Sequence, residues 1–200
     1  MLLAAEALLA ESGVQGTTLR ACARRAGVSH AAPKHHFNDV TELLSEVAAR
    51  SFDKLTDRLA SARIRAGVEP DRRYIAVART YVLFAREFPA HFRLMFRSDL
   101  LRRDNEALVA AAAKTFSEMT NSITVQRGEA DVTPEELIER ITQPDLAGDI
   151  FIGWSHIHGF AQLLLEGQLD IFGATENTDE FIENALATSG TRIAKLLRSG

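Results

Sequence analysis

Two hundred residues, 46% of them hydrophobic, can bury a sizeable core in one large domain or two small ones. The net charge of −4 argues against nucleic acid if taken alone, and a single cysteine excludes an internal disulfide and fits a reducing cytoplasm. No run of about 18 apolar residues is present, so no membrane-spanning helix is expected.

The charge is unevenly placed. Residues 1–65 hold nine Lys/Arg against seven Asp/Glu, and residues 66–200 hold fourteen against twenty. A mildly basic N-terminal third and an acidic remainder suggest a division of labour.

Apolar residues recur at the helical spacing and alternating β-branched runs are lacking, so the fold class is all-α. The opening MLLAAEALLAESG carries Glu6 and Glu11 without a charged leading region, and reads as a helix from Leu2 to Ser12 in place of a signal peptide. Thr17 or Thr18 caps a second helix that ends before Gly27. Ser29 caps a short third helix reaching His36. Asp39-Val40-Thr41-Glu42 has capping-box spacing and opens a long helix to about Ala66.

Pro70 and Pro89 bracket the next helix, a short one follows over His91–Phe96, and a longer one spans Asn105–Thr124. Val125–Val132 reads as a flexible loop. Thr133-Pro134-Glu135-Glu136 is a strong start signal for a short element that Pro144 ends. Two long helices, about Ala147–Gln168 and Thr178–Leu197, close the chain.

Residues 19–38 fit the spacing of a helix-turn-helix. Ala23 is the small residue where two helices cross, Gly27 turns the chain, and Leu19, Cys22, Ala26, Val28 and Phe37 supply buried positions. The third helix then presents His30, Ala31, Lys34 and His35 on its open face, with small Ala31 and Ala32 allowing close approach to base edges. Pro33 falls at its fourth position, where a tightened first turn suits the fixed φ. Spacing alone leaves open a plain αα-corner with solvated charges.

The stretch TTLRACARRAGVSHAAPKHHFNDVTELL resembles the DNA-binding domain of the TetR family of transcriptional repressors, over about Leu2–Arg50. The resemblance implies that Thr18, Lys34 and His36 hold phosphates and that Ser29 to Ala32 face bases. Lys34 stands where the family usually has a tyrosine, and Val40 where it usually has a lysine. RTYVLFAREFPAHFRLMF and GWSHIHGFAQLLLEG resemble the C-terminal domain of a TetR subgroup named for a Trp-His-Gly signature, matched here by Trp154, His158 and Gly159.

The residues give the same anatomy. Ile150, Trp154, Ile157, Ala161 and Leu165 form one apolar stripe on the penultimate helix at ~100° per residue. Gly148, Ile152, Ser155, Gly159, Leu163 and Gly167 form another. Two such faces imply two neighbours, the domain's own core and a second subunit. Phe181, Ala185 and Thr188 on the last helix join the second face in a four-helix homodimer interface. Tyr81, Phe84, Phe88, Phe92, Met95, Phe96, Phe116, Met119 and Trp154 are expected to line an apolar ligand cavity, oriented by Tyr81, His158 and Gln162. Ordinary core packing is the alternative for each of them.

Enzymatic features do not emerge. His156 and His158 lie ~200° apart on a helix and cannot share an ion. GWSHI lacks the second glycine of a nucleophile elbow. The expectation is therefore a cytoplasmic, non-enzymatic regulator that needs no cofactor. Residues 1–48 form its DNA-binding domain and 49–200 its ligand-binding and dimerisation domain. As a homodimer it binds a double-stranded palindromic operator, and a small hydrophobic effector releases it. The competing reading is a helical interaction module whose helix-turn-helix is structural only.

Overall fold

The computed structural model describes residues 1–29, 37–175 and 177–198. Among these every regular element is helical: α1 (Leu2–Gly16), α2 (Leu19–Ala26), α3 (Val40–Ala66), α4 (Pro70–Glu87), α5 (Pro89–Met95), α6 (Glu106–Thr124), α7 (Pro134–Arg140), α8 (Pro144–Leu165) and α9 (Thr178–Arg198), with 3₁₀ turns at Val125–Arg127 and Asp170–Phe172. The chain forms two compact units. Unit 1 comprises Met1–Lys54 and Glu87–Ala112, and unit 2 comprises Leu55–Arg86 and Ala113–Gly200. Compactness thus groups 49–54 and 87–112 with the N-terminal unit, segments that the sequence pattern assigned to the C-terminal domain.

In unit 1 the regular part of α1 stops at Gly13, whose φ of 65° breaks the helix before one more turn. Thr18 accepts the Ala21 N–H at 3.2 Å and caps α2. Gly27 ends that helix in the left-handed region, and Val28 N–H reaches back to Ala23 O. Cys22 and Ala23 are fully buried, whereas Ala26 and Val28 are exposed, contrary to their expected core role. Val28 instead lines an open depression beside Leu2, Leu3 and Phe37. Burial pushes the Cys22 thiol up, as befits a packing residue. Asp39 Oδ1 caps α3 through the Glu42 N–H at 2.8 Å, but the return bond from Glu42 goes to the Asn38 N–H, one residue outside a true capping box. α5 packs on α1. Phe96 joins Phe52 and Phe92, with ring centroids 5.9 and 5.1 Å away.

In unit 2 the Thr133–Glu136 capping box forms with both bonds in place. Pro144 does more than end a helix. It occupies the first turn of α8, where its missing N–H has no helical partner to lose, so α8 begins three residues before the expected Ala147.

Val125–Val132 is not the free loop expected. Val125–Arg127 winds into a 3₁₀ turn, and Asn121 on α6 both accepts the Val132 N–H and donates to its carbonyl. Asp131 accepts from Arg63 and Arg73 together. Polar side chains on α3, α4 and α6 thus fasten a segment that has little apolar content of its own. Beneath it Leu137, Leu146 and Ile150 form a small core with Phe116, Val132 and Ile141 around them.

The buried face of α8 follows the expected stripe at Ile150, Ile157 and Ala161, and α9 buries Ile182, Leu186 and Leu197. Trp154 and Leu165 remain half-buried. Two glycines absent from those stripes fix how closely the helices meet. A Cβ on Gly153 would lie 2.6 Å from Ile123 Cδ1 and 3.6 Å from Tyr74, and one on Gly190 would lie 3.0 Å from Ile75 and 3.8 Å from Tyr74. Tyr74 is fully buried at this junction. Because Ile123 is itself fully buried, Gly153→Ala should overpack the α6–α8 contact and cost about 1–3 kcal/mol. Urea denaturation of the variant checks this, and an unchanged midpoint would show that Ile123 repacks freely.

Candidate functional site

Of the residues expected to meet DNA, Thr18 and Ser29 are described and both are exposed, at the start of α2 and just after its end. His30, Ala31, Ala32, Lys34, His35 and His36 lie outside the described residues. The basic end of α2 is more differentiated than the sequence suggested. Arg25 forms a bidentate pair with Glu11 at 2.6 and 2.8 Å, which neutralises its charge locally. Arg20 and Arg24 are exposed and make no ion pair with a described residue. They are cations that the position-by-position comparison passed over.

The residues expected to line a ligand site fall into two sets. Phe88, Phe92, Met95 and Phe96 belong to unit 1, where Phe92 and Met95 are buried and Phe88 carries the Lys54 ammonium 3.6 Å from its ring centre. Tyr81, Phe84, Phe116, Met119, Trp154, His158 and Gln162 belong to unit 2. There Phe84 and Met119 are buried, and the Phe116 ring meets Trp154 edge-on at 5.7 Å. Trp154 in turn lies 6.0 Å from the His158 ring. Tyr81 Oη lies 2.8 Å from His158 Nδ1, and Gln162 sits one turn further along α8, 3.4 Å from His158 Nε2. Trp154, His158 and Gln162 thus form one half-exposed stripe at spacing four, with a buried phenol behind it.

A second Tyr–His contact lies two turns earlier on α4. Ser189 Oγ donates to Ala185 O at 2.7 Å, so its oxygen accepts from His156 Nε2 at 2.8 Å. The other ring nitrogen then accepts from the Tyr74 hydroxyl at 3.0 Å, which also lies 3.2 Å from Gly153 O. This chain ties α4, α8 and α9 together. Tyr74 and Ser189 were missed in the sequence, although Tyr74 precedes Tyr81 by seven residues and so shares its helical face. Burial raises both phenols well above their ordinary range and keeps them un-ionised.

The residues assigned to a subunit interface are all at least partly accessible in the single chain. Gly148, Ser155, Gly167 and Thr188 are exposed, Ile152 and Leu163 are 39% and 46% exposed, and Gly159, Phe181 and Ala185 are half-buried. A Cβ on Gly148 or Gly159 would touch nothing within 4 Å. His156, Phe181, Ala185, Thr188, Arg192 and Ile193 line an open groove on this side.

An N-terminal helical reader joined to a larger all-helical domain is the architecture of a DNA-binding transcriptional regulator. Residues 1–47 match the bacterial regulatory proteins of the tetR family, and residues 74–189 match the tetracyclin repressor-like C-terminal domain. The chain belongs to the TetR family. It is similar to a Rhodococcus sp. RHA1 protein of unknown function, at 27% identity and a TM-score of 0.73 over 97% of this chain and 91% of that one. It also shares its fold with the TetR family transcriptional regulator PfmR of Thermus thermophilus, at 20% identity and a TM-score of 0.50 over 82% and 96%. No protein of curated function matches it in sequence.

The histidines have a consequence for pH. Burial lowers His156 and His158 below the ordinary 6.5, because a charged ring would lose its water. As pH falls through 6.5 the unfolded chain takes up these protons before the folded one, so the fold loses stability. Denaturation at pH 7.5 and 5.5 should show this loss. The double variant His156→Gln, His158→Gln should show a smaller difference between the two pH values, and an equal difference would assign the loss to other groups.

Proposed function

We propose that the protein is a ligand-responsive repressor of transcription that binds a palindromic operator as a homodimer and is released by a small apolar effector. It acts in the cytoplasm and carries out no catalysis. The observation that supports this most is the double character of α8. One side offers Trp154, His158 and Gln162 beside the Phe116 ring, a surface suited to a flat ligand. Another side leaves Ile152 and Leu163 exposed and open space beside the half-buried Gly159 in the single chain, as a self-complementary two-fold contact requires. Trp154, His158 and Gly159 also supply the signature of the Trp-His-Gly subgroup.

Under this reading two copies of the helix-turn-helix must sit about one DNA turn apart, ~34–36 Å, to enter successive major grooves. Ser29, His30, Ala31 and Ala32 face bases there, with His35 on the same groove-facing side, and Thr18, Lys34 and His36 face the backbone, with Arg20 and Arg24 as further phosphate cations. An effector that binds better to a non-reading disposition lowers operator affinity, and the operator lowers effector affinity by the same factor. Footprinting of the DNA upstream of the gene, with and without apolar compounds, tests the whole scheme. Protection that is symmetric and lost on adding a compound is the expected result, and the absence of any protected site would sink it.

Two variants separate its parts. Lys34→Ala should weaken binding to every DNA sequence and reduce the salt slope by about one unit, because one phosphate cation is lost. A titration with an unchanged slope would remove Lys34 from the backbone. Gly159→Leu should leave the single chain folded, since a Cβ at this position meets no neighbouring element within 4 Å and the side chain starts into open space. It should raise the dimer dissociation constant at least about tenfold, because overpacking a two-fold contact is felt twice. Sedimentation equilibrium reads this, and an intact dimer at low micromolar concentration would move the interface elsewhere.

A further inference from the structure

Buried helical hydroxyls normally bond to a carbonyl of the preceding turn. In this chain Ser45 and Ser51 do so with Thr41 O and Val47 O, and Ser122 does so with Met119 O at 2.6 Å. Thr115 meets Thr56 at 2.6 Å, and Ser117 donates to Val132 O at 3.0 Å. Thr120 and Thr124 are fully buried, yet neither hydroxyl has a partner among the described residues. Leaving two such groups unbonded in one helix is costly, and native proteins keep them where something else completes them.

Their position says what that is. Thr120 follows Phe116 by four residues and Thr124 follows Thr120 by four, so the hydroxyls continue the face on which Phe116 meets Trp154. Ile123, on the same side of α6, abuts Gly153. Side chains four apart on a helix have Cβ atoms about 5–6 Å apart. One oxygen seated between the two hydroxyls can accept from both at about 2.8 Å each.

We propose that Thr120 and Thr124 are the polar anchor of the effector site, donating to the carbonyl oxygen of an uncharged aromatic ketone or related carbonyl compound laid against Phe116 and Trp154. The assignment rests on the effector reading above. The side chains assigned to the anchor are neutral hydroxyls and ring faces, and burial disfavours the charged form of His158, whose ring lies 6.0 Å from Trp154. A carboxylate would therefore enter without a counter-charge.

The test uses the full-length protein and three naphthalenes of matched shape: 2-acetonaphthone, 2-ethylnaphthalene and 2-naphthoate. Scanning calorimetry and titration calorimetry should place the ketone about tenfold tighter than the hydrocarbon, as one net hydrogen bond gives, and tighter than the carboxylate. Thr120→Val and Thr124→Val should each erase most of the ketone's margin over the hydrocarbon. Both should also melt no lower than the parent, because each removes an unbonded hydroxyl and keeps the shape. Equal affinities for all three compounds, no binding by any, or a margin that survives both substitutions would overturn the assignment. A lowered melting temperature in both variants would also overturn it, since the hydroxyls would then be satisfied by internal water. Operator binding measured alongside keeps the two claims apart. A ketone that binds through Thr120 and Thr124 yet leaves the operator complex intact refutes the effector reading alone. An operator response that ignores both substitutions refutes the anchor alone.

Discussion

Unit 2 depends on one steric condition: α8 and α9 each omit a side chain where they close around α4 and α6. Gly153 makes room for Ile123 and Gly190 for Ile75, and the buried Tyr74 ring packs beside both. A large ring in so tight a seat also brings a hydroxyl that must be bonded, and His156 and Gly153 O supply the partners. Packing and hydrogen bonding are therefore set by the same three helices at the same point. The positions of the exposed stripe on α8 and of the groove beside α9 follow from how these helices are locked there.

The elements were legible because their ends carry chemistry. Thr18, Gly27, Thr133 and Pro70 announced where helices start and stop, and the structure has them doing so at the expected places. Periodicity also separated the buried from the accessible side of α8, since Ile150, Ile157 and Ala161 recur at the helical interval. What failed was whatever depends on partners distant in the chain. Val125–Val132 looked like a loop because its own residues lack apolar period. Arg63, Arg73, Ser117 and Asn121, which fasten it, lie 11 or more positions from the residues they hold and carry no local sign of that role. Val28 looked like core because it is apolar and follows a turn glycine, but nothing in its own neighbourhood reveals which surface it lies on.

The site was legible to a lesser depth. The aromatic residues were found by type, and Tyr81, Trp154 and His158 do converge in unit 2. Type alone could not separate them from Phe92 and Phe96, which pack against one another in unit 1, with Phe52 against Phe96. Nor could it distinguish Thr120 from Ser122, two residues along the same helix, since the difference lies in whether a carbonyl is within reach of the hydroxyl. The sequence offered one cue, the spacing of four from Phe116 through Thr120 to Thr124. Polar residues on an otherwise buried helical face are worth reading as a pattern before being dismissed as tolerated.

The fastening of residues 128–133 differs in kind from the rest of unit 2. Asp131 is shared between two arginines, Arg127 bonds both Glu129 and Asp149, and Arg140 bonds Glu129. Charge closes this segment where apolar area closes its neighbours. Attraction between partly exposed charges is screened by ions, while the burial of Ile150 or Leu186 is not. The segment is therefore the place where added salt separates local opening from global unfolding. Its amides would exchange with solvent on their own schedule, ahead of the helices on either side, and the cell's ionic strength would set how far ahead.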